Sequence, residues 1–93
     1  DKVSMGTIAA RDCMRVLQLT EQVAAAALLA MTQGIGLRIN QNELDEASLT
    51  PSLATTLAQV RADFEPLVED RPLEAVLRQT VAKIQAGEWE VCR

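Results

Sequence analysis

Apolar residues recur at steps of three and four over the first third of the chain. Ala9, Cys13, Val16, Val23, Ala27 and Ala30 form one row, with Thr20 in its polar slot, and Ala10, Met14, Leu17, Ala24, Leu28 and Met31 form a second row beside it. Residues spaced in this way share a helix face, so the pattern predicts a helix over about residues 7–34. Arg11, Arg15, Gln18 and Gln22 make a polar stripe on another face, which continues through Ala25, Ala26 and Leu29 before meeting Gln33. The helix thus changes from amphipathic in its first half to apolar all round in its second, as a helix enclosed by neighbours does. Gly34 and Gly36 are expected to stop it, leaving Leu37 and Ile39 as a short extended or irregular exit into a polar loop, Asn40 to Ser48.

Two shorter helices follow. Thr50-Pro51 supplies a cap residue and then a proline at the first helical position, where its missing N–H costs nothing. Leu53, Leu57, Val60, Phe64 and Leu67 then alternate steps of four and three, which predicts a helix over about 51–65 that ends or kinks before Pro66. A third helix is expected over about 72–86, with Leu73, Val76, Leu77, Val81 and Ile84 on one face and Gly87 closing it. The tail, with Trp89 and Val91, either docks back on the bundle or frays. The fold class is all-α: a single helical segment over 1–93, with one long central helix and two shorter ones. Three helices of this size do not enclose the apolar stretch Val23–Met31, so the bundle is expected to be completed by other subunits or by the rest of a longer chain.

Composition narrows the functions. Of 93 residues, 48% are hydrophobic and 24% charged, with 4 Gly and 3 Pro, a balance that folds or assembles. The net charge of −4 and the scattered basic residues argue against a nucleic-acid partner. The chain has no His, so imidazole-based catalysis and metal ligation are absent. Cys13 and Cys92 show no metal-knuckle spacing and read as reduced thiols of a cytoplasmic protein. The stretch Val23–Met31 is far shorter than the roughly 20 residues of a bilayer span and reads as a buried helix, with no membrane partner. No signal peptide is visible at the amino end. The chain begins at Asp1 without an initiator Met, and a processed or truncated piece of a longer protein is expected.

No residue set performs a reaction alone. Asp45/Glu46 and Glu69/Asp70 sit beside helix starts, where carboxylates complement the helix dipole. Ser4 and Ser48 lack a base to activate them. Met5, Met14 and Met31 lie in the apolar rows and read as core filler. No catalytic, cofactor-binding or metal-binding residue is assigned within the chain.

A longer-range pattern goes further. Val3-Ser4-Met5-Gly6, then Ala9-Ala10-Arg11 opening a long helix, then Gln33-Gly34-Ile35-Gly36-Leu37-Arg38 closely resembles the carboxy-terminal part of the histidine and aromatic amino acid ammonia-lyases. Leu49-Thr50-Pro51 and Glu69-Asp70-Arg71-Pro72-Leu73 look like later landmarks of the same family, in the same order. The resemblance implies a longer, mostly helical parent that forms a homotetramer around a bundle of long helices. It also implies a methylidene-imidazolone electrophile, made from an internal Ala-Ser-Gly of the parent, and a tyrosine base. This chain has neither Ala-Ser-Gly nor Tyr, so by resemblance it is the non-catalytic helical and oligomerisation part of the enzyme. Histidine is the leading substrate, eliminating ammonia to give urocanate. A tyrosine ammonia-lyase or an aminomutase shares the same marks, and a stand-alone acidic helical interaction module is the alternative of a different class. By resemblance, Asp1, Lys2, Val3, Ser4 and Met5 lie near the active-site pocket, just past an Asn/Gln- or Gln/Glu-type pair of the family. Their simpler reading is a loop at a helix start, with Ser4 as its cap. The sequence departs from the family at Gly36, where members often carry an acidic residue.

Overall fold

A computed structural model describes residues 4–89 and 91 of the chain. It is all-α, with helices α1 (Met5–Asn40), α2 (Pro51–Asp63) and α3 (Glu74–Ala86), a 3-10 turn at Glu46–Ser48, and no strand among the described residues. At 1.5 Å per residue, the 36 residues of α1 span about 54 Å. The molecule measures 63 × 30 × 20 Å with a radius of gyration of 17.2 Å, whereas a compact domain of this length has about 12 Å. The excess is the first half of α1, which projects alone: every described residue from Ser4 to Thr20 is exposed.

The helix ends follow local chemistry. Ser4 opens α1 by accepting a hydrogen bond from the Thr7 N–H at 3.3 Å. Thr50 does the same for α2 through the Leu53 N–H at 3.3 Å, with Pro51 in the first turn. Phe64 ends α2 in extended backbone, the conformation that a chain approaching Pro66 favours. Gly87 closes α3 with φ 66°, a left-handed conformation that glycine adopts at little steric cost.

The end of α1 differs from the expectation. The helix runs straight through Gly34 and Gly36, with Leu37 and Ile39 inside it, and stops at Asn40. A glycine ends a helix by taking positive φ, and the positive-φ residues described here are Asn42 and Gly87. Asn42, at φ 60°, is the true stop. Its N–H donates to the Ile39 carbonyl at 3.1 Å and the Glu43 N–H donates to the Arg38 carbonyl at 2.9 Å, the paired bonds of a Schellman end. Asparagine tolerates the left-handed region better than most residues with a side chain. Two glycines in a helix interior cost roughly 1 kcal/mol each relative to alanine, which 36 residues of continuous backbone bonding and the packing below absorb.

α2 and α3 pack on the second half of α1. Leu29, Val60, Phe64 and Trp89 form the buried centre, and Leu28, Leu67, Leu73, Val76, Leu77 and Ile84 close around it. Trp89, at 4% exposure, settles the question of the tail as far as that residue, since it docks. α3 runs antiparallel to α1: the Gln85 amide donates to the Glu21 carboxylate at 2.5 Å, while Leu73 and Leu77 at the other end of α3 face Ala26, Leu29 and Ala30. Thr80, buried at 1% exposure within the apolar face of α3, satisfies its hydroxyl on the Val76 carbonyl at 2.7 Å.

The linker between α2 and α3 is held at three points. The Gln33 side chain donates to the Leu67 carbonyl at 3.0 Å and accepts from the Leu67 N–H at 2.9 Å, so one amide satisfies both backbone groups of a residue outside any helix. The Arg71 guanidinium donates to the Glu65 carbonyl at 2.6 Å and lies 5.7 Å from the centre of the Phe64 ring. The linker therefore folds against α1 without secondary structure of its own.

The chain's own helices cover one flank of α1. The residues of α1 buried in the chain are Ala25, Leu29 and Thr32, on the line that continues the Arg11–Gln22 polar stripe. Apart from Leu28, which packs at the edge of the core, the two apolar rows are not enclosed. Val16, Val23 and Met31 are 59%, 69% and 58% exposed, and Met5 and Met14, read above as core filler, are exposed as well. Nor is Val23–Met31 a buried helix in the single chain: one flank is covered and the others are open. The physical reason is division of labour, because α2 and α3 each have one apolar face and together cover a single flank of α1.

Candidate functional site

At the start of α1, the described part of the Asp1–Met5 segment is Ser4 and Met5. Asp1, Lys2 and Val3 lie outside the described residues. Ser4 is the exposed cap and Met5 the first helical residue, 76% exposed. Twenty residues separate Met5 from Ala25, the first buried residue of α1, which is about 30 Å along the axis. These two side chains therefore stand at the free tip of the molecule, and no described side chain of α2 or α3 reaches them. The hydroxyl of Ser4 is aimed at the Thr7 N–H, which fixes the direction in which the chain enters the helix.

The larger feature is the open seam of α1. Ala9, Cys13, Val16, Thr20, Val23, Ala27 and Ala30 are all exposed and alternate steps of four and three, the 3.5-residue period at which one helix stays in contact with another along its length. Their small side chains permit close approach of a neighbouring axis. The polar member of the row does not oppose burial, because the Thr20 hydroxyl is already satisfied on the Val16 carbonyl at 2.7 Å. Met14, Leu17 and Met31 widen the seam on one side, at 59%, 51% and 58% exposure. A continuous apolar surface of this length on one protein marks an interaction site.

By length and composition α1 is also long and apolar enough to cross a membrane. Its charges are Arg11, Asp12, Arg15, Glu21 and Arg38, and the uncharged stretch between the last two includes Thr32 and Gln33, both engaged with the chain's own backbone. The carboxylates singled out in the sequence have structural roles or stand in solvent. Asp45 caps the 3-10 turn by accepting from the Ala47 N–H at 3.0 Å, Glu46 pairs with Arg61 at 3.2 Å, and Glu69 and Asp70 are exposed. Cys13 is a free, exposed thiol. Among the described residues no three His, Cys, Asp or Glu side chains converge on a metal position.

Sequence reasoning missed Gln33 as a structural clamp and named no covered face of α1. The signal for the second was present: the polar stripe turns apolar at Ala25 and Leu29, just where a partner begins to cover it.

No curated protein and no solved structure matches the chain. The family model for aromatic amino acid lyase matches residues 1–62, which takes in the start of α1, the seam, the helix end at Asn42 and nearly all of α2. With two-thirds of its length matched, the chain belongs to the aromatic amino acid lyase family.

Proposed function

We propose that this chain is the carboxy-terminal helical part of a histidine ammonia-lyase, and that its task is to join subunits through α1. The observation that carries the reading is the apolar seam from Ala9 to Ala30, which the chain's own helices leave bare while they cover the opposite flank. A helix with one flank packed inside its own subunit and the other free is suited to the centre of a homo-oligomeric bundle. The partner is then a second copy of the chain and not a lipid or a nucleic acid. The free Cys13 thiol fits a reducing, cytoplasmic setting.

Catalysis belongs to the parent. The chain contains no Ala-Ser-Gly and no Tyr, so its residues do not fit the methylidene-imidazolone of the family, and no catalytic step is assigned to them. Its contribution to the pocket is positional: Ser4 caps the start of α1, and a helix held rigidly in the bundle fixes where Ser4 and Met5 lie.

The test is to read the gene upstream of the Asp1 codon and assay the full product. A long helical coding sequence with Ala-Ser-Gly, and release of urocanate from histidine, is the expected result. Turnover of tyrosine in place of histidine moves the enzyme to the tyrosine ammonia-lyase or aminomutase branch. A frame that stops within a few residues, or one without Ala-Ser-Gly, defeats the lyase reading and leaves a helical interaction module using the same seam.

A further inference from the structure

We infer that the cleft between the carboxy-terminal end of α1 and the end of α2 binds a small carboxylate with an apolar tail, with Arg61 receiving the carboxylate. The cleft holds about 380 Å³ and is lined by Gln33, Gly36, Asn40, Arg61, Phe64 and Pro66, among others, within the size range of small-molecule sites. The Arg61 guanidinium has one nitrogen engaged, Nη1, at 3.2 Å from the Glu46 carboxylate. Its Nη2 has no hydrogen-bond partner among the described residues and stands 3.4 Å from where a Cβ on residue 36 would lie. Because residue 36 is glycine, α1 brings no side chain to that nitrogen, and a donor of the guanidinium fork is left facing the cleft.

The other polar groups around the cleft do not compete for the role. The Thr32 hydroxyl is spent on the Leu28 carbonyl at 2.8 Å and the Gln33 amide on Leu67. Asn40 is exposed at the rim. Phe64, Pro66 and Leu67 supply an apolar wall, so the site combines one cationic fork with a hydrophobic side, the combination that takes a carboxylate carrying an aryl or alkyl group. Glu46 is the competitor. Its side chain is 58% exposed, and an exposed ion pair of this kind contributes little, so it yields to a ligand that uses both terminal nitrogens.

Benzoate is the probe, titrated into the chain and followed by the backbone amide of Gly36 and the guanidinium of Arg61 in NMR spectra, with benzamide as its uncharged counterpart. Saturable benzoate shifts at both groups are expected. Arg61→Gln should weaken binding by about tenfold or more while circular dichroism reports unchanged helix, and Glu46→Gln, which removes the competing carboxylate, should tighten it several-fold. Benzamide shifts equal to those of benzoate, or no saturable binding at millimolar benzoate in either the native chain or Glu46→Gln, would overturn the inference. The Glu46→Gln arm predicts a gain, so misfolding cannot mimic it.

Discussion

Gln33 links positions 34 apart in the chain, and it shows how much a single side chain holds. Leu67 sits in a linker with no helix to satisfy its backbone, and the Gln33 amide satisfies both its N–H and its C=O. Gln33→Leu keeps the size and removes both bonds, leaving two part-buried backbone groups unpaired. We expect a loss of about 1–3 kcal/mol, read as a lower urea midpoint at unchanged slope. Trp89→Ala should cost more, about 3–5 kcal/mol, because it empties the centre of the cluster with Leu29, Val60 and Phe64. Caps at Ser4, Thr50 and Gly87 were legible in the sequence because their chemistry is local, complete within a few residues. The Gln33 clamp was not, since nothing near residue 33 announces a partner at residue 67, and the Trp89 docking was left open for the same reason.

The helices themselves were legible from spacing, and their ends less so. Gly34 and Gly36 look like a stop in the sequence, yet glycine permits left-handed backbone without imposing it, and α1 passes through both. The stop came from Asn42, one of three polar residues in the run Asn40-Gln41-Asn42. This makes an asymmetric prediction for three glycines. Gly34 has open space where a Cβ would lie, so Gly34→Ala should stabilise the chain by about 1 kcal/mol. Gly36→Ala should gain less, because its Cβ meets Arg61 Nη2 at 3.4 Å. Gly87→Ala should lose about 1 kcal/mol or more, since at φ 66° any side chain is strained. Thermal melts of the three variants, compared on one scale, check the order. The sequence reading named no covered face of α1, because periodicity shows which residues share a face and not which face a neighbour takes.

At the scale of the whole molecule, the shape is the argument. A chain 63 Å long and 20 Å thin packs its core at one end and leaves about half of its longest helix without a neighbour. Its family membership rests on residues 1–62, which include that bare half. If the seam from Ala9 to Ala30 is the proposed contact between copies, a charge placed in its middle should separate them without unfolding them. The most direct test is light scattering of the native chain beside Val16→Glu/Val23→Glu at micromolar concentration. Both substituted side chains point into solvent in the single chain, at 59% and 69% exposure, so the intrachain core is untouched. The expected result is a native mass that is a multiple of 10.1 kDa, and a single-chain mass with the same helical circular dichroism for the double variant. A native mass equal to one chain, or a double variant that assembles as the native chain does, would contradict it.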